Sequence, residues 1–300
     1  MRFRAAETAD LATMAALAAP LQSRPERHVV YLATERAGIE AELAEATWEL
    51  VSVVALRDDG RGNETMAGWL IGDVDDELGR VWWFGPFVCD EGWKPLASDL
   101  LFEARRRLPP GVEQEEMAVD ARFEGFEPWA NDAGLLAGVG AWVLTLERAL
   151  DGPDVEGDAV RTMLDADGDA VASLHDELFP GTHTTGRHLV QQQDDRHPRL
   201  VAVSDGMVTG YVAVERQPDG SGYIDFLGVD PGARRRGLGR ALVRAGVAAL
   251  VAIDADPIHL TVREDSDGAR ELYAALGFTE ERLARPFRRG FHLARHRPIS

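Results

Sequence analysis

The sequence is poor in the residues that staple a fold covalently or through metal. Among its 300 residues there is one cysteine, Cys89, which excludes an intramolecular disulfide and any multi-cysteine zinc site and fits a reducing compartment. Cys89 follows Phe87-Val88 in an apolar segment, so it reads as a buried structural cysteine rather than a nucleophile. The one H-x-x-x-H pair among the eight histidines, His292 and His296, lies in an arginine-rich tail that reads as strand, and H-E-x-x-H is missing. No metal is expected. Long apolar runs are missing too: none approaches 18 residues, and Met1-Arg2-Phe3-Arg4 leads into acidic, alanine-rich sequence instead of a signal-peptide core. The expectation is a cytoplasmic protein without a membrane partner.

Positive charge is scarce. Lys and Arg total 32 against 51 Asp and Glu, a net charge of −19, of which residues 1–150 carry −13 and residues 151–300 carry −6. Such a surface repels phosphate, so nucleic acid is not an expected partner, whereas a cationic small molecule or peptide amine would be drawn in. The same charge also keeps a protein soluble. Apolar residues make up 45%, and the length suffices for two separate cores.

Against this background one stretch stands out. Tyr223 to Val229 reads as an apolar strand, and Arg240 to Ile253 has the Ala/Leu/Val content of a buried helix. Between them runs Asp230-Pro231-Gly232-Ala233-Arg234-Arg235-Arg236-Gly237-Leu238-Gly239. The strand thus delivers a basic glycine loop to a helix N-terminus, where unpaired N–H groups and the positive end of the macrodipole favour an anion. Gly237 and Gly239 would let that anion approach the backbone. The dinucleotide fingerprint G-x-G-x-x-G and the P-loop Gly-Lys-Ser/Thr are both missing.

The string Val229-Asp230-Pro231 followed by Arg234-x-x-Gly237-x-Gly239 resembles motif A of the Gcn5-related N-acetyltransferases (GNAT). A second signature follows in order: Ile258 to Val262 alternates like a strand, and Ala269-x-x-Leu272-Tyr273-x-x-x-Gly277-Phe278 is similar to the family's A-x-x-L-Y-x-x-x-G-F. The resemblance implies that the loop binds the pyrophosphate of acetyl-CoA through Arg234, Arg235, Arg236, Gly237, Leu238, Gly239 and Arg240. It also implies that Leu227, Gly228 and Val229 offer backbone groups to the pantetheine arm, with the Val229 N–H as oxyanion donor and the sheet splayed beside it. Tyr273 would protonate the departing thiolate. Ser266 stands where the family has asparagine, at one further CoA contact.

The element order implies an α/β (α+β) fold of two tandem GNAT-like domains, each a mixed, mostly antiparallel sheet flanked by helices. In the second half, a helix over Asp165–Leu178 precedes strands Arg199–Val203, Met207–Glu215 and Tyr223–Val229. The first half repeats this order, with helices Asp10–Leu21 and Ala37–Leu50, strands Val51–Leu56, Thr65–Ile71 and Val81–Val88, and a helix through Leu96–Arg107. Where the loop should be, it has Glu91-Gly92-Trp93-Lys94-Pro95. The expected division is a degenerate copy at 1–150, a linker at 151–158 and a catalytic domain at 159–300, closed by a strand within Leu283–His296.

Acetyl transfer needs a neutral amine and a stabilised leaving thiolate, hence a base and an acid. Tyr273 is the expected acid. The family's glutamate, six residues before the motif A valine, is replaced by Tyr223, so the base is assigned to Asp225, a carboxylate in an otherwise apolar strand. Its alternative reading is an aspartate at the solvated mouth of the strand or one paired with an arginine. Glu215 on the neighbouring strand is the second candidate and a substrate contact, as is His183 in the loop Leu178–Gly186. The expected activity is transfer of acetyl to a primary amine of a small molecule or peptide by direct attack in a ternary complex. The alternative is an acyl-CoA-binding regulatory module without turnover. The degenerate copy would shape the acceptor cleft or a homodimer interface.

Overall fold

Two short strands, Arg2–Arg4 and Val160–Thr162, far apart in sequence, each carry an arginine at a sheet edge. The computed structural model describes residues 1–45, 51–58, 60, 62–76, 78–89, 92–147, 160–182 and 184–290. These form two units, the first comprising Met1–Gly140 with the chain from Ala284, the second Ala141–Leu283.

The first unit starts with β1 (Arg2–Arg4), α1 (Leu11–Gln22) and α2 (Arg36–Glu45). The antiparallel strands β2 (Ser52–Asp58), β3 (Glu64–Asp75) and β4 (Arg80–Val88) follow. Then come α3 (Trp93–Arg105), β5 (Gln114–Asp120), α4 (Phe126–Asp132) and the short β6 (Leu136–Ala137). One core joins α1, α3 and the sheet through Met14, Trp69, Trp83, Phe87, Leu100 and Phe126. Helix α3 starts three residues before the expected Leu96, because Trp93 is buried and packs against Phe126 and Trp129.

The second unit takes β7 (Ala141–Leu146) from the first half of the sequence. It continues with β8 (Val160–Thr162), α5 (Gly168–Leu178), α6 (Gly186–Gln191), β9 (Arg199–Ser204), β10 (Met207–Arg216) and β11 (Gly222–Val229). Next are α7 (Leu238–Ala252), β12 (Ile258–Arg263), α8 (Asp267–Ala274) and β13 (Thr279–Arg289), whose residues from Ala284 belong to the first unit. The β9–β10 hairpin turns on Asp205 and Gly206, both at positive φ (52° and 77°), the two-residue turn that matches strand twist. Its sheet separates two cores. On one face Val212, Val214, Ile224 and Leu260 share a core with Leu242 of α7 and Tyr273 of α8; on the other Tyr211 and Phe226 share one with Val171 and Leu174 of α5.

The units are not the contiguous halves expected from the sequence. Strands β7 and β12 pair in register, from Ala141 opposite Arg263 to Leu146 opposite Ile258, and Ala284–Arg289 pair with β5, so each unit includes a strand from the other half of the chain. The expected linker at 151–158, residues 46–50 of the second predicted helix, His183, His292 and His296 lie outside the described residues. Cys89 corrects another expectation: it is exposed, because β4 ends at Val88 and the cysteine falls just past the last buried strand residue. Among the described residues no helix is long and apolar enough to cross a membrane.

Candidate active site

The site begins where β11 leaves β12. The two strands pair in parallel only at Gly222–Ile258, Tyr223–His259 and Ile224–Leu260; past that point the ladder stops. On its other edge β11 stays paired with β10 as far as Val229–Gly210, and the Asp230 N–H donates to the Thr209 carbonyl at 2.9 Å. Bonded and non-bonded pairs alternate in an antiparallel ladder. Gly228 and Phe226 therefore bond to β10 as Asp230 does, and the backbone groups of Leu227 and Val229 point into the gap. Gly228 must lack a side chain, since a Cβ there would stand 2.4 Å from the Tyr211 ring.

A bulge between Ala213 and Val214 of β10 leaves Asp225 as the extra residue of β11. It shifts the pattern, so that Ile224 packs with α7 while Phe226 packs with α5.

In front of the gap, the Asp230 side chain accepts the Gly232 N–H at 2.7 Å and turns the chain into a single 3-10 turn, Pro231–Ala233. The Arg234 Nε donates to the Val229 carbonyl at 3.1 Å, leaving the Val229 N–H as that residue's group for a ligand. Arg235 (φ 64°) and Gly237 (φ 83°) are both left-handed. Gly237 is the N-cap of α7, which begins at Leu238, two residues before the expected Arg240, and no side chain caps that helix. A turn of backbone N–H groups thus faces outward amid exposed Arg234, Arg235, Arg236 and Arg240, the construction that holds a phosphate.

Tyr273 projects from α8 into the α7-side core, edge-on to Phe278 at 5.8 Å. Burial alone pushes its phenol up to about 12, so it stays protonated at neutral pH. Ser266 is the N-cap of α8, half-buried, and its side chain does not bond the helix it caps.

On the α5 side, Arg199 is 2% exposed and donates to the carbonyls of Leu189 and Val214 at 3.1 and 2.8 Å. Burial weakens its charge, and Asp225 followed by Glu215 opposes that effect. Asp225 thus acts on Arg199 as a counter-charge. Glu215 is raised above the usual carboxylate range, by burial first and by the Asp225 charge second. Gln217 donates to it, and the His197 ring, bonded to Asp194 at 2.7 Å, stands 3.9 Å away.

Two buried side chains that the sequence did not single out fix α5 to the sheet. The Thr184 carbonyl can only accept, so His175 donates to it from Nε2 at 3.2 Å and accepts the Tyr211 hydroxyl at Nδ1, 2.7 Å away. Neither signal is visible without the fold.

The first unit has the same gap, filled by its own chain. Strands β4 and β5 pair only at Arg80–Gln114, Val81–Glu115 and Trp82–Glu116. Beyond that, Val30 N–H donates to the Ala118 carbonyl and Asp120 N–H to the His28 carbonyl, both at 3.0 Å. The Gln22 amide fixes this segment, donating to the Val29 and Leu32 carbonyls and accepting the Val29 N–H at 2.7 Å. Arg27 donates to the Val88 carbonyl and lies over the Trp93 and Phe123 rings. Val88 pairs with Gly68 as Val229 pairs with Gly210, so the counterpart of Leu227 is Pro86, which has no N–H.

The model of the acetyltransferase (GNAT) family matches residues 168–278. A mycothiol acetyltransferase of Thermobispora bispora is 38% identical over 244 residues, 77% of this chain and 72% of that protein. One of Thermomonospora curvata is 33% identical over 118 residues, 39% of this chain and 37% of the relative's length. Among solved structures, a GCN5-related N-acetyltransferase from Sphaerobacter thermophilus superposes with a TM-score of 0.73 at 20% identity, covering 96% of this chain and 95% of its own. The chain belongs to the GNAT family and is an acetyl-CoA-dependent N-acetyltransferase.

Proposed function

We propose that the second unit, 141–283, transfers acetyl from acetyl-CoA to the primary amine of a small molecule or peptide by direct attack in a ternary complex. The observation that carries this reading is the gap beside Leu227 and Val229 with an uncapped, glycine-led helix in front of it. The pyrophosphate lies against the N–H groups from Arg235 to Arg240. The pantetheine runs along the open edge of β11, and the Val229 N–H faces the thioester oxygen as its charge develops.

Tyr273 protonates the thiolate as the C–S bond breaks. Its raised value does not forbid this, because the burial that raises the phenol also raises a thiolate leaving beside it. Asp225 and Glu215 provide negative charge that draws in an ammonium, which suits a cationic acceptor. The relatives are named for mycothiol, so a small-molecule amine of that kind is the first acceptor to test. The first unit serves as a scaffold without a CoA site, supported by Arg27 on the Val88 carbonyl, residues 28–30 along β5, and Pro86.

Calorimetric titration with acetyl-CoA, followed by thiol release against a panel of amines, tests the reading. One site per chain and release with an amine are expected. No binding, or two equivalent sites, overturns it.

A further inference from the structure

A straight row of side chains crosses the face of the sheet opposite α7. Glu215 on β10 is opposite Tyr223 on β11, Tyr223 is opposite His259 on β12, and His259 is opposite Thr145 on β7. Their chain neighbours Val214, Ile224, Ile258, Leu260, Leu144 and Leu146 all pack on the α7 side. Side chains alternate along a strand, so this row faces the other way. Beta strands β11 and β12 part directly after Ile224 and Leu260, which sets His259 one residue from the mouth of the gap.

The hydrogen bonds of this row fix the state of the ring. Thr145 Oγ1 lies 2.8 Å from Glu281 Oε2 and 3.0 Å from His259 Nδ1. Burial works against the Glu281 charge, but bonds from Arg282 and Thr145 outweigh it and hold Glu281 below the ordinary glutamate range. An ionised carboxylate cannot donate, so the single hydroxyl hydrogen of Thr145 goes to Glu281. Thr145 then accepts from the Nδ1–H of His259. The lone pair of the neutral imidazole is left on Nε2, the arrangement of a base oriented by a second group and a carboxylate.

Tyr223 occupies the strand position six residues before Val229, and its hydroxyl is engaged with Thr261 at 2.9 Å. A phenol is a poor base at neutral pH. His259 is its direct neighbour on the next strand.

We propose that His259 is the base of the acetyl transfer, with Thr145 and Glu281 as the positioning residues that set its tautomer and balance its cation. The proposal rests on the acetyl-transfer reading above. His259 Nε2 takes one proton from the acceptor ammonium. The nitrogen lone pair freed by that step forms the C–N bond to the thioester carbon, and the C–S bond breaks with its electron pair on sulfur. Tyr273 protonates the thiolate, the nitrogen's second proton restores the phenol, and the proton taken by His259 leaves to solvent, so one proton is released per acetyl moved.

The charges around the ring are consistent with this duty. Burial lowers His259 first, Glu281 and Asp219 raise it, and Arg282 lowers it further; the net shift is downward. The ring is therefore neutral, and able to accept, at pH 7.

The test is the pH profile of kcat/KM. In the wild type the profile rises and levels off below the ordinary histidine value of about 6.5. His259→Gln should bind acetyl-CoA with unchanged affinity by calorimetry, lose roughly a hundredfold in kcat/KM at pH 7, and climb with pH across the whole range. Glu281→Gln should move the rising limb to lower pH, because the anion that raises His259 is gone. A Thr145→Ser variant should keep the wild-type profile where Thr145→Val does not. Wild-type affinity together with an unchanged limb in His259→Gln overturns the proposal alone. Wild-type protein that binds no acetyl-CoA overturns it together with the reading beneath it.

Discussion

Arg161 grips Asp167 with two bonds, Nη1 to Oδ2 at 2.6 Å and Nη2 to Oδ1 at 3.0 Å. Arg4 grips Asp10 in the same fork at 2.6 and 2.8 Å, and each aspartate also accepts a backbone N–H three residues back, from Leu164 and Glu7. The offset is the same 157 residues for both partners. An identical joint between an edge strand and the turn that leads into the next helix marks the two units as copies of one design.

The arginine bond holds both aspartates below their usual range, against a smaller opposing effect of burial. A lowered folded value means stability that is present above the ordinary aspartate pKa of about 3.9 and lost as pH falls through the folded values. The urea midpoint should therefore drop between pH 5 and pH 2. An Asp10→Asn, Asp167→Asn double variant should start lower at pH 7 and show a flatter decline; a parallel decline would remove these pairs from the acid response.

Gly237→Val should weaken acetyl-CoA binding by tenfold or more in calorimetry. A Cβ at Gly237 meets open space, so the cause is the left-handed φ of 83° rather than a clash. A β-branched residue there costs about 1–2 kcal/mol, released by unwinding the loop that presents the N–H groups. Gly239→Ala, whose Cβ would stand 3.4 Å from the Leu272 side chain, should be mild in comparison.

Tyr273→Phe should lower kcat by roughly tenfold to a thousandfold with little change in acetyl-CoA affinity. With the phenol at about 12, the wild-type rate should show no alkaline loss from Tyr273 below pH 10. An unchanged kcat in the variant would return Tyr273 to packing.

Asp225→Asn separates a counter-charge from a base. Loss of the charge facing buried Arg199 should lower the melting temperature and leave the rising limb of the pH profile in place. A stable variant whose limb has vanished would make Asp225 the proton acceptor.

Arg27→Ala should lower the melting temperature of the protein and leave acetyl-CoA stoichiometry at one. Removing the guanidinium leaves Pro86 without an N–H, so the first gap still offers no second backbone donor. A second calorimetric site would contradict this.

Much of the site was legible because it is local. Strand, loop and helix from Tyr223 to Ala252 are contiguous, and periodicity with two glycines was enough to place them within two residues. Tyr273 was readable for the same reason. What the sequence hid is non-local: Thr145 lies 114 residues from His259 and 136 from Glu281, and no pattern along the chain joins them. The alternation Ile258-His259-Leu260-Thr261-Val262 did announce that His259 faces away from the core, but not what it meets there. Asp225 was singled out for being a carboxylate in an apolar strand; the buried Arg199 on β9 supplies its physical reason. Cys89 misled because its apolar neighbours stop one residue before it.

The assignment of Ala284–Arg289 to the sheet of the first unit sets an order for synthesis. When β5 leaves the ribosome, the strand that pairs with it lies beyond the 163 residues from Ala121 to Leu283. At 5–20 residues per second this is a wait of roughly 8–33 s. Throughout it, Met117, Ala118 and Val119 present an unpaired apolar edge, the kind that invites pairing with another nascent chain. The first half of this protein is made first and finished last, so its yield in a cell depends on how well that edge is shielded while the remainder is translated.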